Sequence, residues 1–297
     1  MRPPEDNRTK LGWSRVAIFG YFFILGVATA TWSARLPAIK ESLRLSDGRL
    51  GLALFAVPAG AVLTLALSGR IADRFGAVRV LRVAGVLNPA ALIPIGLARN
   101  LAALMATLAV YGAVAGLLDV SMNACGARLE LGYGRPIMSS LHAGYSIAGL
   151  AGAGIGGISA WLGISPLPTF VAAAAALIGL GLLAGPRVVI PAARAAPEDP
   201  DDPPRRTLRQ ISLVIWVLGL VALCGQVGEG SAGDWSAVYR TSTWAPRPAS
   251  RPRRWPRSRS RWRPDGWPAT GWPAGSARCG WCGPAAWWPG SGWRPAC

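Results

Sequence analysis

Residues 69–82 read GRIADRFGAVRVLR, and this basic stretch, set between apolar runs at 50–68 and 80–97, decides the fold. Each flanking run approaches the roughly 20 mainly apolar residues that cross a hydrocarbon core about 30 Å thick. Between them, Arg70, Arg74, Arg79 and Arg82 belong at the lipid surface. Gly69 permits two helices to approach closely, and Asp73 can accept hydrogen bonds or face a helix amino terminus. The reading is two membrane helices joined by a short basic connection.

The rest of the chain agrees with that start. Its 297 residues are 52% hydrophobic and 15% charged, with mean hydropathy +0.33, far more apolar than a typical soluble domain. Further runs of spanning length lie at 16–32, 101–121, 139–162 and 169–185, and a seventh at 211–239 is interrupted by polar groups. The first run lacks a small-residue cleavage site followed by soluble sequence, so it reads as a helix and not as a signal peptide.

The expected organisation follows from these runs. A cytoplasmic amino-terminal segment occupies 1–15, a six-helix bundle 16–185, a cytoplasmic linker 186–210, the seventh helix 211–239 and an Arg/Trp/Pro-rich tail 240–297. The linker, with AARAAPEDPDDPPRRTLRQ, is charged and Pro-rich and has no apolar face to bury. Counted over alternate connections, one side of the membrane carries fifteen Lys and Arg and the other five. Basic residues collect inside, so the amino terminus is expected in the cytoplasm and the protein in the cytoplasmic (inner) membrane.

Gly69, Asp73, Arg74, Gly76 and Arg79 fill the form Gly-x-x-x-Asp-Arg-x-Gly followed by basic residues. This resembles the signature loop of the major facilitator superfamily. The resemblance covers roughly residues 11–240 and implies an all-α integral membrane fold: the six-helix amino-terminal half of a major facilitator bundle plus one helix. In that family the loop Asp helps latch two halves together in the outward-facing state, a role that would fall to Asp73.

The richest polar constellation lies further on, in GLLDVSMNACGARLELGYGRPIMSSLHAGYSIAGLAGAGIGG. An acid inside an apolar helix is costly unless it faces a cavity or a partner, which makes Asp119 a functional candidate. Asn123 lies one turn further along the same face. The alternative is an acid paired with a neighbouring helix purely for packing. The stretch resembles the fucose permease-like branch of the superfamily, in which such an acid couples proton movement to sugar binding; this implies Asp119 as proton carrier with Asn123 beside it. The branch's sugar-binding acid near the end of the first helix is replaced by Ser33, in TWSARLPAIK, so the substrate class does not carry over. Trp32 and Arg35 either line the cavity or anchor the helix at the outer interface.

His142, the sole His, either titrates with transport or serves as an interfacial hydrogen-bonding residue. The small residues from Gly144 to Gly157 are packing devices that permit close approach and bending. In GQVGEGSAGDWSAVY, Gln226 and Glu229 share a face of a Gly-broken helix and are substrate-cavity candidates, with Asp234 at the outer mouth.

The tail is a different kind of sequence. It carries +9 of the formal charge of +17, ten Arg against one Asp after residue 240, and nine of the fourteen Trp fall from Trp244 onward. An Arg-rich tail invites a nucleic-acid reading, but the mixture has no periodicity that builds a groove or a recognition helix. Cys279 to Cys282 has the spacing of a redox or zinc half-site without a second ligand pair, and Cys125 and Cys224 lie in apolar segments. No cofactor and no metal are expected. A codon shift explains the tail as a whole. Reading the last base of each codon with the first two of the next turns Trp-Pro into Ala and Trp-Cys into Val. With C or G in third positions, part of 266–286 then agrees with Ala72 to Gly85 at eight of fourteen places. The tail is therefore expected to be an out-of-frame, disordered translation of a second half, with the slip near Arg240.

The function these residues imply is secondary active transport of a small solute by alternating access, proton-coupled, with a sugar-like solute as one option and impaired activity in this chain. Two alternatives stay open: a non-transporting membrane scaffold or subunit, and efflux of a drug or metabolite by proton antiport. The partners are a small solute, protons and the lipid bilayer; no nucleic acid and no enzymatic chemistry are expected.

Overall fold

A computed structural model describes residues 5–190 and 212–244. Among them the regular structure is helical: α1 (Glu5–Ala34), α2 (Leu36–Ser42), α3 (Asp47–Phe75), α4 (Ala77–Ala90), α5 (Leu92–Leu97), α6 (Leu101–Tyr133), α7 (Met138–Trp161), α8 (Pro166–Ala184), a 3₁₀ turn (Gly185–Arg187) and α9 (Leu213–Trp244). The expected tail at 240–297 lies outside the described residues beyond Trp244, as does most of the linker.

Local chemistry sets the ends of these helices. Ser46 caps α3 by accepting from Arg49 N at 3.4 Å, and Asn100 caps α6 by accepting from Ala103 N at 2.8 Å. Glu130 Oε2 accepts from Ile137 N at 2.7 Å and Met138 N at 2.9 Å, which satisfies two free N–H groups at the start of α7. Gly76 at φ 84° and Gly134 at φ 67° end α3 and α6 in backbone conformations that suit glycine.

Among the described residues, six stretches are long and apolar enough to cross a bilayer: Thr9–Ala34, Asp47–Phe75, Ala77–Leu97, Leu101–Tyr133, Pro166–Arg187 and Leu213–Tyr239. The 24-residue α7 also has the length to cross, although it is not one of these six. Its packing places it among them. A Cβ added to Gly144 would meet the Phe19 ring, one on Gly152 would lie 2.5 Å from the Val27 carbonyl, and one on Gly156 would lie 2.5 Å from the Ala34 methyl. The contacts climb both helices together, so α7 runs parallel to α1.

The pair α3 and α6 is also parallel: Gly112 lies against Val57, and one turn further along both helices Gly116 lies against Ala61. A Cβ on Gly60 would sit 2.0 Å from the Ala109 carbonyl oxygen, and one on Gly112 would sit 2.0 Å from that of Val57. Glycine is required at both positions, because the two backbones touch. Against α1, α4 and α5, α8 runs antiparallel, with Gly20 beside Ala184, Gly85 beside Gly181 and Gly96 beside Leu167. Such directions fit a chain that crosses and recrosses through α8. The core between these helices is filled by Tyr21, Phe22, Tyr111 and Phe170, each 1% exposed or less.

One end of the bundle is tied shut by polar side chains. Val189 N donates to Ser14 Oγ at 3.0 Å, while Arg82 donates through Nε to Gly185 O at 2.8 Å and through Nη2 to Val188 O at 3.3 Å. Tyr21 adds a bond to Gly181 O at 3.2 Å. The segment leaving α8 is thereby fastened to α1 and α4.

Several boundaries differ from the sequence reading. Helix α1 begins at Glu5, so much of the 1–15 segment is helical, and α6 continues through Arg128 and Glu130 to Tyr133. The third crossing is broken into α4 and α5 at Ala91, two residues after Pro89, whose missing N–H cannot continue the ladder. The signature stretch is helix except at Gly76, and an added Cβ on Gly69 would meet nothing within 4 Å. Gly69 therefore does not mark a close approach of helices among the described residues; its face is open.

Candidate functional site

A cavity of about 2350 Å³ opens among α1, α2, α6, α7 and α9. Its wall carries Asp119 and Asn123 from α6, His142 and Tyr145 from α7, and Gln226 and Glu229 from α9. Residues four apart on one helix project to one face, which is why Asp119 and Asn123 meet. Asn123 Nδ2 donates to the Asp119 backbone carbonyl at 2.9 Å and to its carboxylate Oδ1 at 3.1 Å. The same amide thus serves the helix backbone and orients the acid.

Across the seam, His142 stands edge-on to Phe22, ring centres 5.2 Å apart at 74°, within electrostatic reach of Asp119. Tyr145 lies one turn beyond His142 and within electrostatic reach of both Asp119 and Glu229. Its place three residues after His142 is the signal that could have found it. On α1, Thr29 shares a hydrogen bond of 3.0 Å with Tyr111, fixing one wall.

At the other end of the cavity, Ser33 Oγ donates to Asp234 Oδ1 at 3.1 Å, joining α1 to α9. Ser33 thus holds an acid of α9 at the end of α1. Trp32 does not line the cavity: it is 2% exposed and packs edge-on against Tyr111 at 5.8 Å. The helical turn that brings Ser33 toward α9 sends Trp32 into the core instead. Arg35 does line the cavity, 4% exposed, and donates through Nη2 to the Ile164 carbonyl in the α7–α8 turn.

The signature residues lie apart from the cavity. Asp73 and Arg74 occupy the last turn of α3, with the Arg74 guanidinium 5.5 Å from the centre of the Phe75 ring, and Arg79 is in the first turn of α4. Asp73 is exposed and makes no hydrogen bond or ion pair among the described residues. No group of three His, Cys, Asp or Glu among the described residues is placed to hold a metal ion.

Helices of bilayer length, alternating in direction and walling a cavity with acids and amides, define a multi-pass α-helical membrane protein. The chain belongs to the major facilitator superfamily, whose family model matches residues 17–247. It is 30% identical over 218 residues to the uncharacterized transporter y4wD of Sinorhizobium fredii, covering 73% of this chain and 56% of that protein. It is 34% identical over 227 residues to an uncharacterized MFS-type transporter of Yersinia pestis, covering 74% and 56%. A shorter likeness, 34% over 136 residues, links it to the membrane protein MosC of Rhizobium meliloti. The chain spans little more than half the length of the first two relatives it matches.

Proposed function

We propose that this chain takes part in secondary active transport of a small polar solute, with Asp119 as the site where proton movement is coupled to cargo. The observation that carries the reading is the Asp119 carboxylate itself, facing a cavity in a membrane-spanning helix and oriented by Asn123 at 3.1 Å. A carboxylate at that depth is expensive when charged and cheap when neutral, so its protonation biases which state of the bundle is favoured. Gln226, Glu229 and Tyr145 supply donors and acceptors for a hydroxylated solute, in keeping with the sugar-like option of the fucose permease-like branch. Alternating access about this cavity is the expected mode of movement.

The same reading puts the amino terminus in the cytoplasm of a cell whose inner membrane holds the protein, with the Ser14 and Arg82 ties at the inner face. Asp73, exposed at that face, would meet a partner surface from a second half. We also propose that the reading frame slips near Arg240; the family match ending at residue 247 is in keeping with this. Resequencing the gene across codon 240 decides it, since a shifted frame must yield a second signature-like stretch.

The test of the transport reading is uptake of labelled sugars and sugar acids into vesicles bearing the protein, expressed both with its present carboxy terminus and from the shifted frame. Uptake driven by a proton gradient and abolished by Asp119→Asn supports the proposal. Uptake indifferent to the gradient contradicts it.

A further inference from the structure

At the rim of the cavity, where α1 ends and α7 turns into α8, Arg35 is buried and, among the described residues, without a counter-ion. It is 4% exposed, its Nη2 donates to the Ile164 carbonyl, and its Nε has no hydrogen-bond partner among the described residues. No carboxylate lies within ion-pairing distance of it among the described residues. Buried cations are ordinarily paired, because a charge removed from water needs compensation. Burial also pulls its pKa below the ordinary guanidinium value, the sign of a charge held in poor solvation.

The acids that share the cavity are otherwise engaged or distant. Asp234 is turned to Ser33 at 3.1 Å, and Glu41 is exposed on α2. Thr29, bonded to Tyr111, fixes the relative height of α1 and α6. From that level Arg35 lies six residues outward and Asp119 eight residues in the opposite direction, roughly 20 Å apart along the bundle at 1.5 Å per residue. Arg35 therefore feels little of the Asp119 charge. Nearby, Lys40 is engaged by Asp47, while Arg44, also on the cavity wall, adds a second positive charge at the rim.

Building on the transport reading above, we infer that Arg35 forms an anion-recognition site at the cavity rim, which selects a hydroxylated solute bearing a carboxylate. A guanidinium presents a planar fork of donors that matches a carboxylate, and the buried, unpartnered Nε is the donor that such a group would satisfy once the side chain turns to meet it. A hydroxylated body would then face the amide and hydroxyl groups deeper in the cavity. The site lies at the rim and Asp119 deep, so cargo recognition and proton coupling are separate tasks on separate residues.

The test is calorimetric titration of the full chain in lipid nanodiscs with gluconate and, separately, with glucose, at fixed pH and ionic strength. We expect gluconate to bind at least tenfold more tightly than glucose. Arg35→Gln should erase that preference, and Arg35→Lys, which keeps the charge without the fork, should retain part of it. The wild-type comparison needs no variant, so a misfolded substitution leaves the proposal testable. Equal affinity for the two, a gluconate preference that survives Arg35→Gln, or binding of neither overturns it. None of these outcomes bears on gradient-driven uptake and Asp119→Asn, so failure here is distinguishable from failure of the transport reading.

Discussion

Asn123 reaches back one helical turn to grip Asp119 twice, through the backbone carbonyl at 2.9 Å and the carboxylate at 3.1 Å. A donor that neutralises part of the carboxylate's need for water favours its charged form. Replacing Asn123 by Ala removes that support without touching the acid. The expected result is uptake whose pH dependence moves toward higher pH, with the cargo affinity changed less than the pH profile. Initial uptake rates measured between about pH 5 and about pH 8 check this.

The touching backbones of α3 and α6 set a second prediction. Gly112→Ala places a methyl 2.0 Å from the Val57 carbonyl oxygen and must push the helices apart, whereas Gly149→Ala adds a methyl with nothing within 4 Å. Overpacking of a tight seam costs about 1–3 kcal/mol, and more where backbone is the neighbour. Thermal melts of the purified protein should show a lowered midpoint for Gly112→Ala and an unchanged one for Gly149→Ala.

Ser14 is fully buried and accepts the Val189 N–H at 3.0 Å. Ser14→Ala leaves that N–H without its partner, at a cost of about 1–3 kcal/mol. The loss should be local. Limited proteolysis is expected to cut near residue 190 several-fold faster in the variant, with the rest of the bundle equally resistant.

Asp73 offers the opposite case. Exposed and without a hydrogen-bond or ion-pair partner among the described residues, it contributes to stability by no more than about 0.5 kcal/mol on the scale of surface substitutions. Asp73→Asn should leave the melting midpoint unchanged. If the residue latches two halves, uptake should nevertheless fall, and the pairing of an unchanged melt with reduced uptake is the readout.

The helical fold was legible because apolar runs of spanning length and their basic connections obey a one-dimensional rule. Period also placed Asp119 with Asn123 and Gln226 with Glu229, since neighbours on one helix face need no tertiary knowledge. Trp32 was misplaced because its direction depends on the rotation of α1, which is set by the glycines of α7 that it packs against. The bond from Ser33 to Asp234 spans 201 residues and no local pattern announces it. Nor does sequence tell that Arg35 is buried: an Arg beside a membrane helix ordinarily reaches for the interface. The break at Ala91 was available from Pro89, and the apolarity of the run hid it.

The most direct measurement compares two assays on one variant, Asp119→Asn, in vesicles preloaded with unlabelled solute or facing an imposed proton gradient. Exchange of labelled for unlabelled solute should persist, because a neutral side chain still permits the bundle to rock, while accumulation driven by the gradient should vanish. Gradient-driven accumulation at the wild-type level in that variant would contradict the assignment of Asp119 as the coupling residue.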